Sequence, residues 1–176
     1  LAPIIVSPVS EFRFDQLKSR RDLAIACIKH KLPFNIGHYD YFELFLKGLN
    51  PSFKLPSRNT IKSDVLSVYE KEKVKVYKML EGIQSRVSLT TDIWTSEHSH
   101  VAYCSVTSHF IDDDWELQKK ILAFREIPYP HDGESLFNFL KEIILEWNLD
   151  KKLSSIVVDN ASANDSMINK LKDWLV

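Results

Sequence analysis

Residues 86–95, RVSLTTDIWT, set β-branched and apolar side chains among polar ones and carry a single carboxylate, Asp92, inside the run. Residues 153–159, LSSIVVD, form a short apolar run that ends on a second carboxylate, Asp159. Runs of this length and composition read as strands, and the uninterrupted apolar character of the second suits a strand buried on both faces. Between them, residues 100–111 (HVAYCSVTSHFI) repeat the strand character. Asp112, Asp113 and Asp114 supply turn chemistry before a third run at 115–127. These three runs make an antiparallel meander. Residues 128–133 (PYPHDG) break it, and 134–147 place Leu136, Phe137, Leu140, Ile143, Ile144 and Trp147 at helical spacing. A further helix is expected over 160–175, with Asn160 as a candidate cap.

Toward the N-terminus the periodicity is helical. Residues 12–31 form an apolar-periodic stretch that Leu32-Pro33-Phe34 ends, because the residue before proline is pushed out of helical dihedrals. A short helix over 39–49 presents Phe42, Phe45 and Leu46 on one side, and Asn50-Pro51 closes it. From Ser57, a plausible cap, a long polar helix runs through residue 83, with Ile61, Val65, Val68, Leu80 and Ile83 in a three-or-four residue rhythm. The expectation is an α/β chain divided into a helical segment, 1–85, and a sheet-containing domain, 86–176.

The formal net charge is −1, distributed as +5 over residues 1–85 and −6 over residues 86–176. A basic half suits phosphates, whereas an acidic half repels them unless cations intervene. On the long helix Arg58, Lys62, Lys71 and Lys73 are candidate DNA-phosphate contacts, although a charged helix face more often simply keeps a helix solvated. No apolar run approaches the ~18 residues of a membrane span, and the first residues lack the charged start of a secretory signal, so neither membrane insertion nor export is expected. Cys27 and Cys104 are far apart in apolar surroundings, which suggests neither a disulfide framework nor a zinc site.

Asp92 and Asp159 carry the chemistry of this reading. A buried acid is costly unless paired. If the first and fourth strands are parallel neighbours, the two acids meet at one end of the sheet, where mutual repulsion makes a divalent cation the natural partner. Mg²⁺ and Mn²⁺ prefer oxygen ligands, and two such ions ~3.5–4 Å apart clamp the attacking and leaving oxygens of a phosphodiester. The spacing alone leaves another reading open, in which Asp159 caps a helix and Asp92 bonds neighbouring hydroxyls.

Several stretches narrow the choice. His30-Lys31-Leu32-Pro33-Phe34, Leu49-Asn50-Pro51, Ser57-Arg58-Asn59-Thr60, Leu89-Thr90-Thr91-Asp92-Ile93-Trp94-Thr95-Ser96, Val106-Thr107-Ser108-His109-Phe110-Ile111-Asp112, His131-Asp132-Gly133, Glu146-Trp147 and Val158-Asp159-Asn160-Ala161-Ser162-Ala163-Asn164-Asp165 follow one another in an order and spacing that resemble hAT-superfamily transposase-derived proteins of the BED zinc finger, RICESLEEPER and DAYSLEEPER group. The resemblance implies a partial ribonuclease H-like domain in which Asp92 and Asp159 are the first two acids of a DDE triad holding Mg²⁺ or Mn²⁺. It also implies a DNA partner, a nuclear location, and a homodimer formed through a region with no counterpart in these residues. The family's third acid and its zinc finger likewise have no counterpart here, so this chain alone is not expected to be a competent nuclease. Plant members are often domesticated, which makes a catalytically silent DNA-binding regulator the alternative. The chain departs from the family at Ile36-Gly37-His38, where a Val-Glu pair is usual.

Other residues have plainer readings. Trp94 falls on the same strand face as Asp92; shielding the site or stacking on a base are options, but its large apolar surface favours core packing. His98 and His100 share a face without a third ligand nearby. His109 and His131 read as structural, and Asn160 and Asn164 as residues able to reach a metal shell or a phosphate.

Overall fold

The computed structural model describes residues 13–98, 100–127, 129, 132–159 and 162–175. His131 and Asn160, both singled out above, lie outside them. The elements run α1 (Gln16–His30), a 3-10 turn (Phe34–His38), α2 (Asp40–Leu49), α3 (Arg58–Gly82), β1 (Val87–Thr95), β2 (Ala102–Ile111), β3 (Leu117–Glu126), α4 (Gly133–Glu146), β4 (Leu153–Val157) and α5 (Ser162–Leu175). Two compact units are distinguished, Leu1–Val74 and Lys75–Val176. None of the described helices is long and apolar enough to cross a membrane.

In the first unit, α1 starts where the Asp15 carboxylate accepts from the Leu17 and Lys18 amides at 2.9 and 3.0 Å. It ends on Lys31 in the left-handed region (φ 54°) ahead of Pro33. Ser57 caps α3 as its position suggests, with its hydroxyl 3.3 Å from the Thr60 amide. Cys27, Ile36 and Ile61 form the buried centre, with Leu23, Phe34, Phe42 and Val65 packed against it. At Gly37 a Cβ would lie 2.3 Å from the Pro56 carbonyl oxygen, so this backbone admits no larger residue there.

The second unit holds one mixed sheet of order β3-β2-β1-β4. β1–β2 and β2–β3 are antiparallel and β4 is parallel to β1, which is the expected meander plus returning strand. Side chains alternate across this sheet. Val87, Leu89, Cys104, Val106, Phe110, Leu122 and Ala123 turn to one face, where Leu136, Leu140, Ile143 and Ile144 of α4 and Met167 and Leu171 of α5 cover them. Leu80 and Ile83 at the end of α3 join the same core.

That alternation corrects two expectations. Trp94 is not a core residue. Ile93 takes the inward position, so Trp94 stands on the opposite face, 37% exposed, with ring centroids 6.0 Å from Tyr103 and 5.3 Å from Phe124. β4 is not buried on both faces either, because it is the edge of the described sheet; Ser154, Ser155 and Val157 are exposed.

Three polar devices hold the second unit in register. The Lys152 ammonium donates to the carbonyls of Leu80, Glu81 and Ile83 at 2.9, 2.6 and 3.0 Å, satisfying the open end of α3 from the turn that enters β4. Arg125 of β3 reaches Glu142 and Glu146 of α4. At the β2–β3 turn, the Asp112 carboxylate accepts from the amides of Glu116 and Asp114 and from Gln118, and the Glu116 bond is the main reason it is held below its ordinary carboxylate value.

Replacing Lys152 by Met should lower stability by about 1–3 kcal/mol in urea denaturation, since three helix-end carbonyls lose their donor. Arg at this position should recover part of the loss. Unchanged stability of the Met variant would show that water replaces the ammonium at no cost.

Candidate functional site

Asp92 and Asp159 come to the same end of the sheet through the β1–β4 register. The pairs run Val87↔Leu153, Ser88↔Ser155, Leu89↔Ile156 and Thr90↔Val157, with one extra residue, Ser154, on the β4 side after the first pair. The pairing ends there with β4, and continuing its register two residues further would bring Asp159 level with Asp92. Without the extra residue Val158 would stand there, and the period-two alternation would turn the carboxylate to the other face.

Both acids are exposed. The expectation of buried carboxylates is therefore corrected. Asp92 shares the uncovered face with Thr90 and Trp94, and Asp159 follows an edge strand. Neither acid bears a full desolvation penalty, and both are accessible to a solvated cation or a phosphate. The negative charge of Asp92 is felt across the sheet at Cys104. Burial first, and then that charge, push the Cys104 thiol up to about 12, so it stays protonated and is no thiolate ligand or nucleophile. On the open face beside Asp92, Thr90 and His109 are bonded through Oγ1 and Nε2 at 3.0 Å, in line with a structural histidine.

Asp159 is held by a residue of α5. Asn164, 2% exposed, donates from Nδ2 to Asp159 Oδ1 at 2.5 Å and to the Asp159 carbonyl at 3.3 Å. Both partners are acceptors, so the amide orientation is forced. Oδ1 of Asn164 is consequently left buried without a hydrogen-bond partner among the described residues. The approach of α5 depends in turn on the residues before α4. Asp132 caps α4 by accepting from the Ser135 amide at 2.8 Å, and a Cβ on Gly133 would lie 2.5 Å from Ser166 Cβ of α5. The Asp132-Gly133 pair thus starts one helix and makes room for the other.

The remaining candidates are dispersed. His98 and His100 are exposed in the β1–β2 connection, His100 with φ 53°. No group of three or more His, Cys, Asp or Glu side chains able to hold a metal ion occurs among the described residues. Arg58, Lys62 and Lys73 fall along one side of α3, whereas Lys71 is about 180° from Lys62 at about 100° per residue. Sequence reasoning did not find the Asn164–Asp159 bond as such, although an asparagine five residues after an acid at a helix start was its visible trace. The bidentate Arg20–Asp64 contact between α1 and α3 was not foreseen at all.

Two accessible carboxylates, one on β1 and one just past the end of its parallel neighbour β4, are oxygen donors of the kind a hard divalent cation takes, and they would fill part of its coordination shell. Residues 90–176, which include both acids, match the family described as the ZBED1 RNase-like domain. Over 166 residues the chain is 39% identical to a putative AC transposase of Zea mays. The chain is similar to AC transposases and to BED zinc finger sleeper proteins. It is also 34% identical over 156 residues to the BED zinc finger protein DAYSLEEPER of Arabidopsis thaliana, and 31% identical over 163 residues to RICESLEEPER 2 of Oryza sativa subsp. japonica. These matches cover 94%, 89% and 92% of the chain, but only 20%, 22% and 22% of the relatives, so the chain spans about a fifth of their length. The α/β fold expected from the resemblance, with its meander and parallel fourth strand, is the one observed.

Two substitutions test this geometry. Asn164→Asp places a second carboxylate against Asp159 in a buried position, where its folded-state pKa rises above the unfolded ~3.9. The penalty should be fully present at neutral pH and fade as pH falls toward 4, and urea midpoints of this variant and wild type should converge there. Parallel pH profiles would disprove the contact. Gly133→Ala should cost about 1–3 kcal/mol through overpacking. Adding Ser166→Gly should return part of that loss in a double-mutant cycle, and strict additivity would show that the two sites do not touch.

Proposed function

We propose that this chain is part of a nuclear, transposase-derived protein of the hAT superfamily that binds DNA, and that Asp92 and Asp159 hold Mg²⁺ or Mn²⁺ in a ribonuclease H-like site for strand cleavage and transfer. The observation that supports this reading is the parallel β1–β4 register, whose continuation past Val157 would bring Asp159 level with Asp92. The names of the relatives, AC transposase and BED zinc finger protein, agree with it.

In this reading Asp92 offers its carboxylate from the open face of β1. Asp159 offers its own from the end of β4, its rotamer fixed by Asn164. When bound, a divalent cation supplies Lewis-acid polarisation of a phosphodiester. Two acids leave that cation under-ligated, so cleavage is assigned to a longer chain that contributes a third acid. DNA contact by the first unit is assigned to cations of α3, drawn from Arg58, Lys62, Lys71 and Lys73, and homodimerisation to the longer chain.

The test is a Mn²⁺ titration of the 176-residue chain by calorimetry beside Asp92→Asn and Asp159→Asn. Binding to wild type that weakens at least tenfold in each variant supports a shared site. Equal binding in all three, or none in a folded wild type, removes the metal-site reading and leaves a catalytically silent DNA-binding protein.

A further inference from the structure

The first unit contains a charged cleft of which the reading above uses only Lys71. It lies between α1 and α3, has a volume of about 370 Å³, and is lined by Lys18, Arg20 and Arg21 from α1 and by Asp64, Ser67 and Lys71 from α3, among others.

The ion pairs around it sort these charges into two kinds. Arg20 and Asp64 face each other in a bidentate, partly buried pair at 3.0 and 2.7 Å, which braces one wall against the other and neutralises both groups. Lys18 is taken by Asp22 one helical turn away at 2.7 Å. Asp15, at the mouth, accepts from two helix amides. Arg21 and Lys71 remain, one on each wall, and neither is bonded to an anion among the described residues. Two unspent cations and the Ser67 hydroxyl line a space whose width is set by a salt-bridged strut.

We propose that this cleft is a binding site for a DNA backbone phosphate, with Arg21 and Lys71 as the contacts and the Arg20–Asp64 pair holding its walls apart. The proposal rests on the DNA-binding reading and sharpens it. A phosphodiester brings a single negative charge and several acceptor oxygens, which suit a guanidinium fork on one side and an ammonium point charge on the other. The site also selects a side of α3. Lys71 faces the cleft, whereas Lys62 lies about half a turn around the helix from it. DNA is therefore expected along the α1–α3 cleft and not along the Arg58–Lys62 side. Contacts of this kind position DNA without reading its sequence.

The experiment is fluorescence anisotropy of the 176-residue chain with a labelled DNA duplex over a series of salt concentrations. In the Arg21→Ala/Lys71→Ala double variant the slope of log affinity against log salt should shrink by about 0.9, the share of the one phosphate that is no longer neutralised. The loss of affinity should be the same on duplexes of unrelated sequence. Arg21→Lys/Lys71→Arg should keep the slope. Lys29→Ala/Lys47→Ala, which removes two charges of the same unit away from the cleft, should match wild type. Because the Arg20–Asp64 strut is untouched, urea midpoints of the variants should stay near that of wild type.

A wild-type slope in the cleft variant, with binding abolished instead in Arg58→Ala/Lys62→Ala, overturns the cleft while leaving the DNA reading intact. Failure of the wild-type chain to bind duplex at low salt overturns both. Preferential displacement of duplex from wild type by polyglutamate, at equal competitor charge to unlabelled duplex, overturns the assignment to phosphate in favour of an acidic protein segment.

Discussion

A parallel pair of strands cannot be closed by a tight turn, and the pairing of β1 with β4 therefore imposes its demands on everything between them. The intervening chain has to run out through β2 and β3, return over one face as α4, and enter β4 in the direction of β1. The edge β4 is held on its other flank by no strand among the described residues. Its position is instead secured at its start, where Lys152 grips the end of α3 and the Val87 amide bonds the Lys152 carbonyl at 2.9 Å. One extra residue in this pairing sets the register in which the chain leaves β4 toward Asp159. The placement of the proposed site thus hangs on a local irregularity in the ladder.

The two faces of the sheet have different fates. α4 and α5 bury one of them. The other is polar along β1 and β4, with Ser88, Thr90, Asp92 and Ser155, and apolar toward β3, where Ile121 and Phe124 are 67% and 63% exposed. The acids lie on the polar strip, and the Trp94, Tyr103 and Phe124 rings begin beside it. Exposure resolves a tension in the chemistry of two neighbouring carboxylates. Solvent screens their repulsion, so the fold need not bury uncompensated charge.

The first unit is built on a thinner margin. Its buried centre is small, and α2 presents Tyr41, Leu44, Phe45 and Leu49 to the outside. The Arg20–Asp64 pair and the close approach at Gly37 then matter more than they would in a larger core. Both are contacts between segments distant in sequence, and both fix where α1 and the start of α3 stand.

The order of elements, the meander and the helix cap at Ser57 were legible in the chain, because periodicity and turn chemistry are local properties. What lay beyond local reading was the sidedness of each strand. Trp94 looked like core because tryptophan is large, but Leu89 and Ile93 had already claimed the inward positions of β1. The run at 153–157 looked doubly buried because it is apolar, but burial depends on neighbours the run does not encode. The register in which the chain leaves β4 toward Asp159, the Asn164 bond that fixes that acid, and the Arg20–Asp64 strut all join groups that only folding makes adjacent. Sequence by itself determined which elements form and which side chains carry charge; tertiary structure alone decided which of them meet, because distance in space is set by packing and strand register and not by separation along the chain.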